Sequence, residues 1–388
     1  MIVHLSRTEE EGLDGKFGDS ISIAYKLLLS IGKAIDAERL IPVNWVHLSG
    51  VNYNTIGDAG ANFLTKYSEE ARFSVQTTIN PMGYDTHKQN NLSSKFKKKQ
   101  GEIIKAYESM GSVPSFSCTP YELFQLPERG HNVSFAESNA AVMANSVFDL
   151  HTNKESSLSA LASAVTGKTP YSDLRMSSIR DPKIKIKIDA DLNSELDYGI
   201  LGYFAGKTVK ESCVSFGPYV SNIDMYKTKS LAAALGTSGA CGMFSNKEID
   251  GEAISFGKEE AKSVMDELNS NESGDVIALG SPQLGSYELE LISNMMGGKK
   301  FSKKCMIFCA RPTYEKACSS GIAQKLESAG ANIICDACTC LSPLLTHDEY
   351  DGVITNSIKA AHYLNKSNKV SVCLSSIKSI INENTEGD

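Results

Sequence analysis

The chain has 388 residues, 41% of them hydrophobic and 22% charged, with a formal net charge of −7. That length buries a large core and divides into two or three lobes. An acidic balance gives no general attraction to nucleic acid or anionic membranes, so any anionic substrate must be held by local groups. No apolar run approaches the roughly 18 residues of a membrane span, and Met1 to Leu5 passes straight into Ser6-Arg7-Thr8-Glu9-Glu10, which predicts a cytoplasmic protein. Ten cysteines without a regular framework fit a reducing compartment.

Ser6 followed by Glu9 is a capping-box pattern, and apolar residues from Ile21 to Ile35 recur at helical spacing, predicting a scaffold helix over Ser20 to Arg39. Ile41 to Leu48 alternates like a strand and ends in Ser49-Gly50-Val51-Asn52-Tyr53. A second strand, Arg72 to Thr77, ends in Thr78-Ile79-Asn80-Pro81-Met82-Gly83. Loops of this kind at strand ends present ligand-binding backbone in α/β enzymes, although ordinary turn chemistry accounts equally well for each one singly. Lys88 to Gln100 is polar and basic, a solvated loop and helix start that leads to a helix over Glu102 to Met110. Val113 to Tyr121 reads as a strand carrying the thiol of Cys118. Glu137 and Ser138 stand at the start of a helix through Asn145-Ser146, where free N–H groups and the helix dipole favour a bound anion.

Small residues predict a closely packing helix over Ser156 to Thr169. Gly167-Lys168-Thr169 and Gly206-Lys207-Thr208 look like the end of a phosphate loop, but Ala162 and Leu201 occupy the place of its earlier glycine, which excludes a Walker-type NTPase. Lys183 to Ile188 is charged and strand-like and is expected at the periphery, near a lobe boundary; the expected lobes are 1–175, 176–270 and 271–388. Asp197 to Val209 and Leu231 to Phe244 are small-residue-rich helical or strand-turn segments. From Asp275 the pattern is strand Val276 to Leu279, loop Gly280-Ser281-Pro282-Gln283, helix Tyr287 to Met296, strand Cys305 to Cys309, a helix, and a strand beginning near Asn332. Strands alternating with helices predict an α/β protein with mostly parallel sheets.

The run from Asn332 to Pro343 is the most distinctive, a buried strand that enters a loop bearing Cys335, Cys338 and Cys340. Clustered thiolates suit zinc, copper(I) or an iron–sulfur cluster, because polarizable sulfur matches a polarizable metal. Two blander readings stand beside this one. The cysteines serve as small apolar fillers, or Cys335 and Cys338 form half of a zinc knuckle, for which the chain offers no second pair at similar spacing.

Six motifs taken together give the chain a wider resemblance. They are Ser49-Gly50-Val51-Asn52-Tyr53 with Ile56-Gly57-Asp58-Ala59-Gly60, Thr77-Thr78-Ile79-Asn80-Pro81, Cys118-Thr119-Pro120-Tyr121, Glu137-Ser138 with Ala144-Asn145-Ser146, Asp336-Ala337-Cys338, and Asn356-Ser357-Ile358-Lys359-Ala360-Ala361-His362-Tyr363. In this order and over nearly the whole length, the chain resembles the large subunit of the aconitase X family. The resemblance implies an aconitase-like multi-lobe fold and a hydro-lyase that dehydrates a hydroxy acid, (R)-5-phosphomevalonate in archaeal members of the mevalonate pathway. It also implies an iron–sulfur cluster, [4Fe-4S] by analogy, held by three cysteines, and a separate small subunit whose swivelling domain carries the catalytic serine. It places cluster ligands on Cys118 and Cys338 and substrate contacts on Gly50, Val51, Asn52, Asn80, Pro81, Glu137, Ser138 and Lys359, with Lys359, Glu137 and Ser138 closest to the chemistry.

Two departures accompany the resemblance. A Gly-Cys-Pro-His-like turn is expected to carry the third cluster cysteine, and here it reads Gly280-Ser281-Pro282-Gln283. Either Ser281 fills that position with a harder oxygen, or Cys309 or Cys305 substitutes, and the nuclearity stays open. An Arg-bearing run after Asn145-Ser146 is replaced by Asp149-Leu150-His151-Thr152-Asn153-Lys154, which removes bidentate guanidinium binding. The rival functions are dehydration of another hydroxy acid such as cis-3-hydroxyproline, and a non-catalytic metal-binding scaffold.

Overall fold

In the computed structural model, which describes residues 3–88, 90–340 and 342–387, three parallel sheets are interleaved with helices. Met1, Ile2, Gln89 and Leu341, which belong to segments singled out above, lie outside the described residues. The first sheet places Trp45–Leu48 between Gln76–Ile79 and Ser134–Phe135, with Trp45 opposite Gln76 and Val46 opposite Ser134. Every residue of Trp45–Leu48 is buried: Val46 and Leu48 belong to one apolar core, and Trp45 and His47 pack on Phe135 on the other side.

A second sheet orders Met243–Ser245, Cys213–Ser215, Ile184–Ile188 and Glu252–Phe256, all parallel. Two small-residue helices, Glu195–Thr208 and Met225–Ser238, pack closely on one another, and Phe204 of the first meets Phe256 of this sheet. A Cβ on Gly202 would lie 2.4 Å from the Leu231 carbonyl oxygen, so the backbones meet where no side chain fits. The third sheet has five parallel strands in the order Ala331–Cys335, Lys304–Cys309, Val276–Leu284, Gly352–Thr355 and Ser371–Leu374. A bridge between Met82 and Ala337, with the Met82 N–H donating to the Asp336 carbonyl at 2.9 Å, joins the loop after the first sheet to the thiol loop after the third. The α/β class with mostly parallel sheets is therefore as expected from the sequence.

Several local expectations differ. The first long helix is Asp19–Ala34 and stops short of Arg39, because Asp36 adopts φ of 53°. Ile41 to Leu48 is two strands, since Leu40–Pro42 pairs antiparallel with Lys168–Pro170 before Trp45–Leu48 enters the parallel sheet; Pro42 has no N–H for a continued ladder. The second strand is Gln76–Ile79, later than Arg72 to Thr77. Val113 to Tyr121 forms no strand beyond a bridge at Val113; Phe116 at φ of 39° and Pro120 turn the chain instead. Ile184–Ile188 lies inside the second sheet, not at its margin, and its lysines face outward. Gly280 to Gln283 is no free loop. The strand continues from Val276 to Leu284 with a register shift, and Gly280, at φ of 119°, has no room for a Cβ against the Phe308 backbone.

Candidate active site

The carboxyl ends of the first sheet's strands supply one half of a cavity of about 320 Å³, the usual place for ligands in parallel α/β sheets. Trp45–Leu48 delivers Gly50, Val51 and Asn52; Gln76–Ile79 delivers Asn80 and Pro81; Ser134–Phe135 delivers Glu137 and Ser138. Gly50 turns at φ of 80°, and Asn52 caps the helix Tyr53–Tyr67 by accepting from the Asn54 N–H at 2.9 Å. Gln100, fully buried, fixes this turn from behind, donating to the Val51 carbonyl at 2.7 Å and accepting from the Tyr53 N–H at 3.1 Å.

The other half comes from the third sheet. The loop after Ala331–Cys335 brings Cys338 and Cys340, and the helix after Gly352–Thr355 brings Lys359. Cys118 completes this wall from the turn before Pro120. All ten residues that the resemblance names, from Gly50 to Lys359 and including Cys118 and Cys338, line the one cavity. Ser281 and Cys309 do not. Ser281 lines a small cleft behind it, and the Cys309 thiol faces that of Cys335 across neighbouring strands.

At the centre, the Lys359 ammonium donates to Glu137 Oε1 in a buried ion pair. Burial works against the charge on Lys359, but Glu137 and the nearby sulfurs outweigh it and hold the ammonium well above the ordinary lysine value. Burial likewise raises the Glu137 carboxyl, and Lys359 with Asn80 brings it below the ordinary range. Glu137 also caps the helix Ser138–Ser146, accepting from the Asn139 N–H.

A line of buried donors runs into that carboxylate. Trp45 Nε1 donates to Thr78 Oγ1 at 2.9 Å, and the threonine hydroxyl has His47 Nδ1 at 2.8 Å and the Val46 carbonyl at 3.4 Å as its partners. His47 Nε2 then donates to Asn80 Oδ1 at 2.8 Å, and Asn80 Nδ2 donates to Glu137 Oε2 at 2.8 Å. Burial pushes the His47 imidazole down to about 4, so it is neutral, and the Asn80 oxygen facing Nε2 sets which ring nitrogen carries the hydrogen. Nothing in the sequence singled out His47; a histidine inside a wholly buried parallel strand was the available signal.

Gln283, at the position of the altered turn, is a clamp. Fully buried, it accepts from the Cys118 N–H at 3.3 Å and shares its two amide hydrogens among the carbonyls of Phe116, Cys309 and Ala337 at 3.1, 3.3 and 2.8 Å, and its own backbone N–H lies 3.2 Å from Cys118 Sγ. It thereby ties the Cys118 turn to the Cys338 loop. Cys338 stands between Cys118 and Cys340, in side-chain contact with both; the Cys118 contact lowers it, while Cys340 and burial win and push the thiol up to about 12. Three sulfur donors on one wall fit the preference of iron–sulfur groups for cysteine ligands. Among the described residues no three His, Cys, Asp or Glu side chains form a group that would hold a single metal ion, but an iron–sulfur core stands between its ligands and does not ask them to converge on one point.

Comparison with known proteins gives this geometry a family. Models described as the aconitase X first, second and third domains match residues 2–177, 182–274 and 274–386. The phosphomevalonate dehydratase large subunit of Methanocaldococcus jannaschii is 35% identical over 98% of this chain and 99% of its own length. The cis-3-hydroxy-L-proline dehydratase of Hypocrea jecorina is 28% identical over 93% of this chain and 65% of that protein. The holo-form crystal structure of Thermococcus kodakaraensis aconitase X superposes with a TM-score of 0.90 and 30% identity, over 98% of this chain and 100% of that one. The chain belongs to the aconitase X family.

Proposed function

We propose that this chain is the large subunit of a cytoplasmic hydro-lyase that removes water from (R)-5-phosphomevalonate, giving trans-anhydromevalonate 5-phosphate for isoprenoid synthesis. The observation that carries this is the single cavity in which a buried lysine–glutamate pair faces a wall of thiols, together with full-length likeness to phosphomevalonate dehydratase large subunits. Cys118 and Cys338 would hold an iron–sulfur group, [4Fe-4S] in our assignment; when bound, such a group supplies a Lewis acid that makes hydroxide a tolerable leaving group.

The chain's own residues bind and orient. An incoming carboxylate or phosphate meets the Lys359 ammonium as a point charge and the free N–H groups where helix Ser138–Ser146 begins. Gly50, Val51 and Pro81 leave backbone exposed to the substrate, and Asn52 and Asn80 present amides to it. Glu137, kept ionised by Lys359 and Asn80, accepts a hydrogen bond from a substrate hydroxyl and fixes its direction. The name of the relatives as large subunits supports a separate small subunit, which in this scheme carries the serine that takes the proton from the carbon beside the carboxylate.

The test is water elimination from 5-phosphomevalonate by anaerobically prepared protein co-expressed with its small subunit, beside Lys359→Met and Cys338→Ala. Turnover lost in both variants is expected. Elimination from cis-3-hydroxyproline in its place would reassign the substrate to the second reading that the more distant relatives favour. Iron or zinc without sulfide and without turnover would replace the enzyme by a metal-binding scaffold.

A further inference from the structure

Two donors meet at one corner of the cavity wall, where Ser281 Oγ lies 2.7 Å from Cys340 Sγ. They face different spaces. Cys340 lines the main cavity with Cys118 and Cys338, whereas Ser281 lines the narrow cleft behind, with Lys229 and Glu288. We propose that Cys340 supplies the third sulfur ligand of the iron–sulfur group and that Ser281 is not a ligand but a hydroxyl donor to that sulfur. Cys340 holds this place only within the iron–sulfur chemistry proposed above.

Three observations support it. First, sulfur is the softer partner for iron, and a serine beside a thiol loses that competition. Second, Ser281 is fixed within the strand Val276–Leu284, where its carbonyl accepts from the Ser357 hydroxyl and only 4% of it is exposed. Cys340 lies instead in the loop that carries Cys338, two residues away, with its sulfur 3.8 Å from the Lys359 carbonyl. Third, the other thiols are elsewhere: Cys309 is engaged with Cys335, and Cys305 is sealed inside the third sheet. Ser281 and the cysteine two residues beyond Cys338 are therefore one unit, in which the thiol occupies the space next to the serine.

Ligation involves no change of oxidation state in the cysteine. The S–H bond of Cys340 breaks, the proton passes to solvent, and the sulfur forms a bond to iron supplied with inorganic sulfide. The Ser281 O–H then points at an anionic sulfur, a contact of the kind that tunes cluster potential.

The experiment is anaerobic reconstitution with ferrous iron and sulfide, reading iron and acid-labile sulfide per chain and the visible sulfur-to-iron absorption. Cys340→Ala is expected to lose sulfide and most iron, as Cys338→Ala does, whereas Ser281→Ala keeps both and shifts the absorption band. Ser281→Cys placed in the Cys340→Ala chain should restore iron and sulfide, which a merely misfolded variant would not permit; Cys340→Ser, closest in shape, should fold and still lose sulfide. If Cys340→Ala binds iron and sulfide like the unaltered chain while Cys338→Ala does not, this assignment is overturned and the proposed function stands. Loss in Ser281→Ala with retention in Cys340→Ala overturns it in favour of the serine. An unaltered chain that takes up iron without sulfide removes both proposals.

Discussion

Lys229 is a sensitive point of the structure, and Lys229→Met is the substitution that exposes it. The ammonium is 2% exposed and lies 3.0 Å from Glu122 and 2.9 Å from Glu288, and it also donates to the Gln283 carbonyl at 3.0 Å. Methionine matches the stem in length but leaves Glu288, 1% exposed, without its cation. Removing one partner of a buried ion pair costs about 3–5 kcal/mol. With an unfolding entropy of about 2.1 cal/mol/K per residue, a chain of 388 residues loses about 4–6 °C in Tm. Differential scanning calorimetry at neutral pH measures this directly. The pH dependence supplies a second signature. Burial pulls the Lys229 ammonium down, yet Glu122 and Glu288 outweigh it and hold it above the ordinary lysine value. Its contribution is therefore complete at neutral pH and disappears as pH climbs beyond the ordinary lysine range, so the gap between the two proteins must narrow in alkali. A Tm within 1 °C of the parent at pH 7, or a gap that widens in alkali, would refute the assignment of this triad as a stabilising unit.

Three further outcomes follow from the same geometry. His47 is neutral in the fold and titrates near 4 against about 6.5 when unfolded, so the parent should lose up to about 3 kcal/mol as pH falls from 6.5 towards 4, and His47→Phe should remove that slope in acid denaturation curves. Gln283→Leu strips four hydrogen bonds from a fully buried amide and leaves the carbonyls of Phe116, Cys309 and Ala337 without this donor; a loss of about 3 kcal/mol or more in urea unfolding is expected, with bound iron falling as Cys118 drifts from Cys338. Gly202→Val drives a side chain against the Leu231 carbonyl and should cost about 1–3 kcal/mol or prevent soluble expression, whereas an exposed control such as Gly298→Ala, with open space around its Cα but a left-handed φ of 91°, should cost less, read by the same unfolding curves.

What was legible in the sequence follows a physical division. Strand-end loops announce themselves through Gly, Asn and Pro, which marks the loops of Gly50 and Asn80; Glu137 stands out as a helix start, and only the family resemblance assigns all three to a substrate. Lys359 was found by motif order alone. The line from Trp45 through Thr78 and His47 was not legible, because each of these residues is ordinary in a strand and gains meaning only when the registers Trp45 to Gln76 and His47 to Thr78 are set. Cys340 does not stand out from Cys335 and Cys338, since sequence spacing does not say which thiols of a run face a cavity and which face the core. The end of the strand at Leu279 was misplaced because Gly280-Ser281-Pro282 has turn composition, yet the neighbouring backbone of Phe308 holds it extended.

The cavity is built by two sheets that are far apart in the chain, joined at its rim by Met82 and Ala337. The loops of the first sheet contribute Gly50, Asn80 and Glu137, and the third contributes Cys338 and Cys340, while Cys118 arrives from the segment between Gln76–Ile79 and Ser134–Phe135. Substitutions in the loops after Leu48, Ile79 and Phe135 therefore act first on the side of the cavity that holds Asn80 and Glu137, and substitutions at Cys340 act first on the thiol side. Lys359 is the exception, a cation from the sulfur side that reaches across to Glu137. With Gln283 held on the Cys118 turn and Met82 on Asp336, that pair couples the two halves, so a change in one is felt in the other.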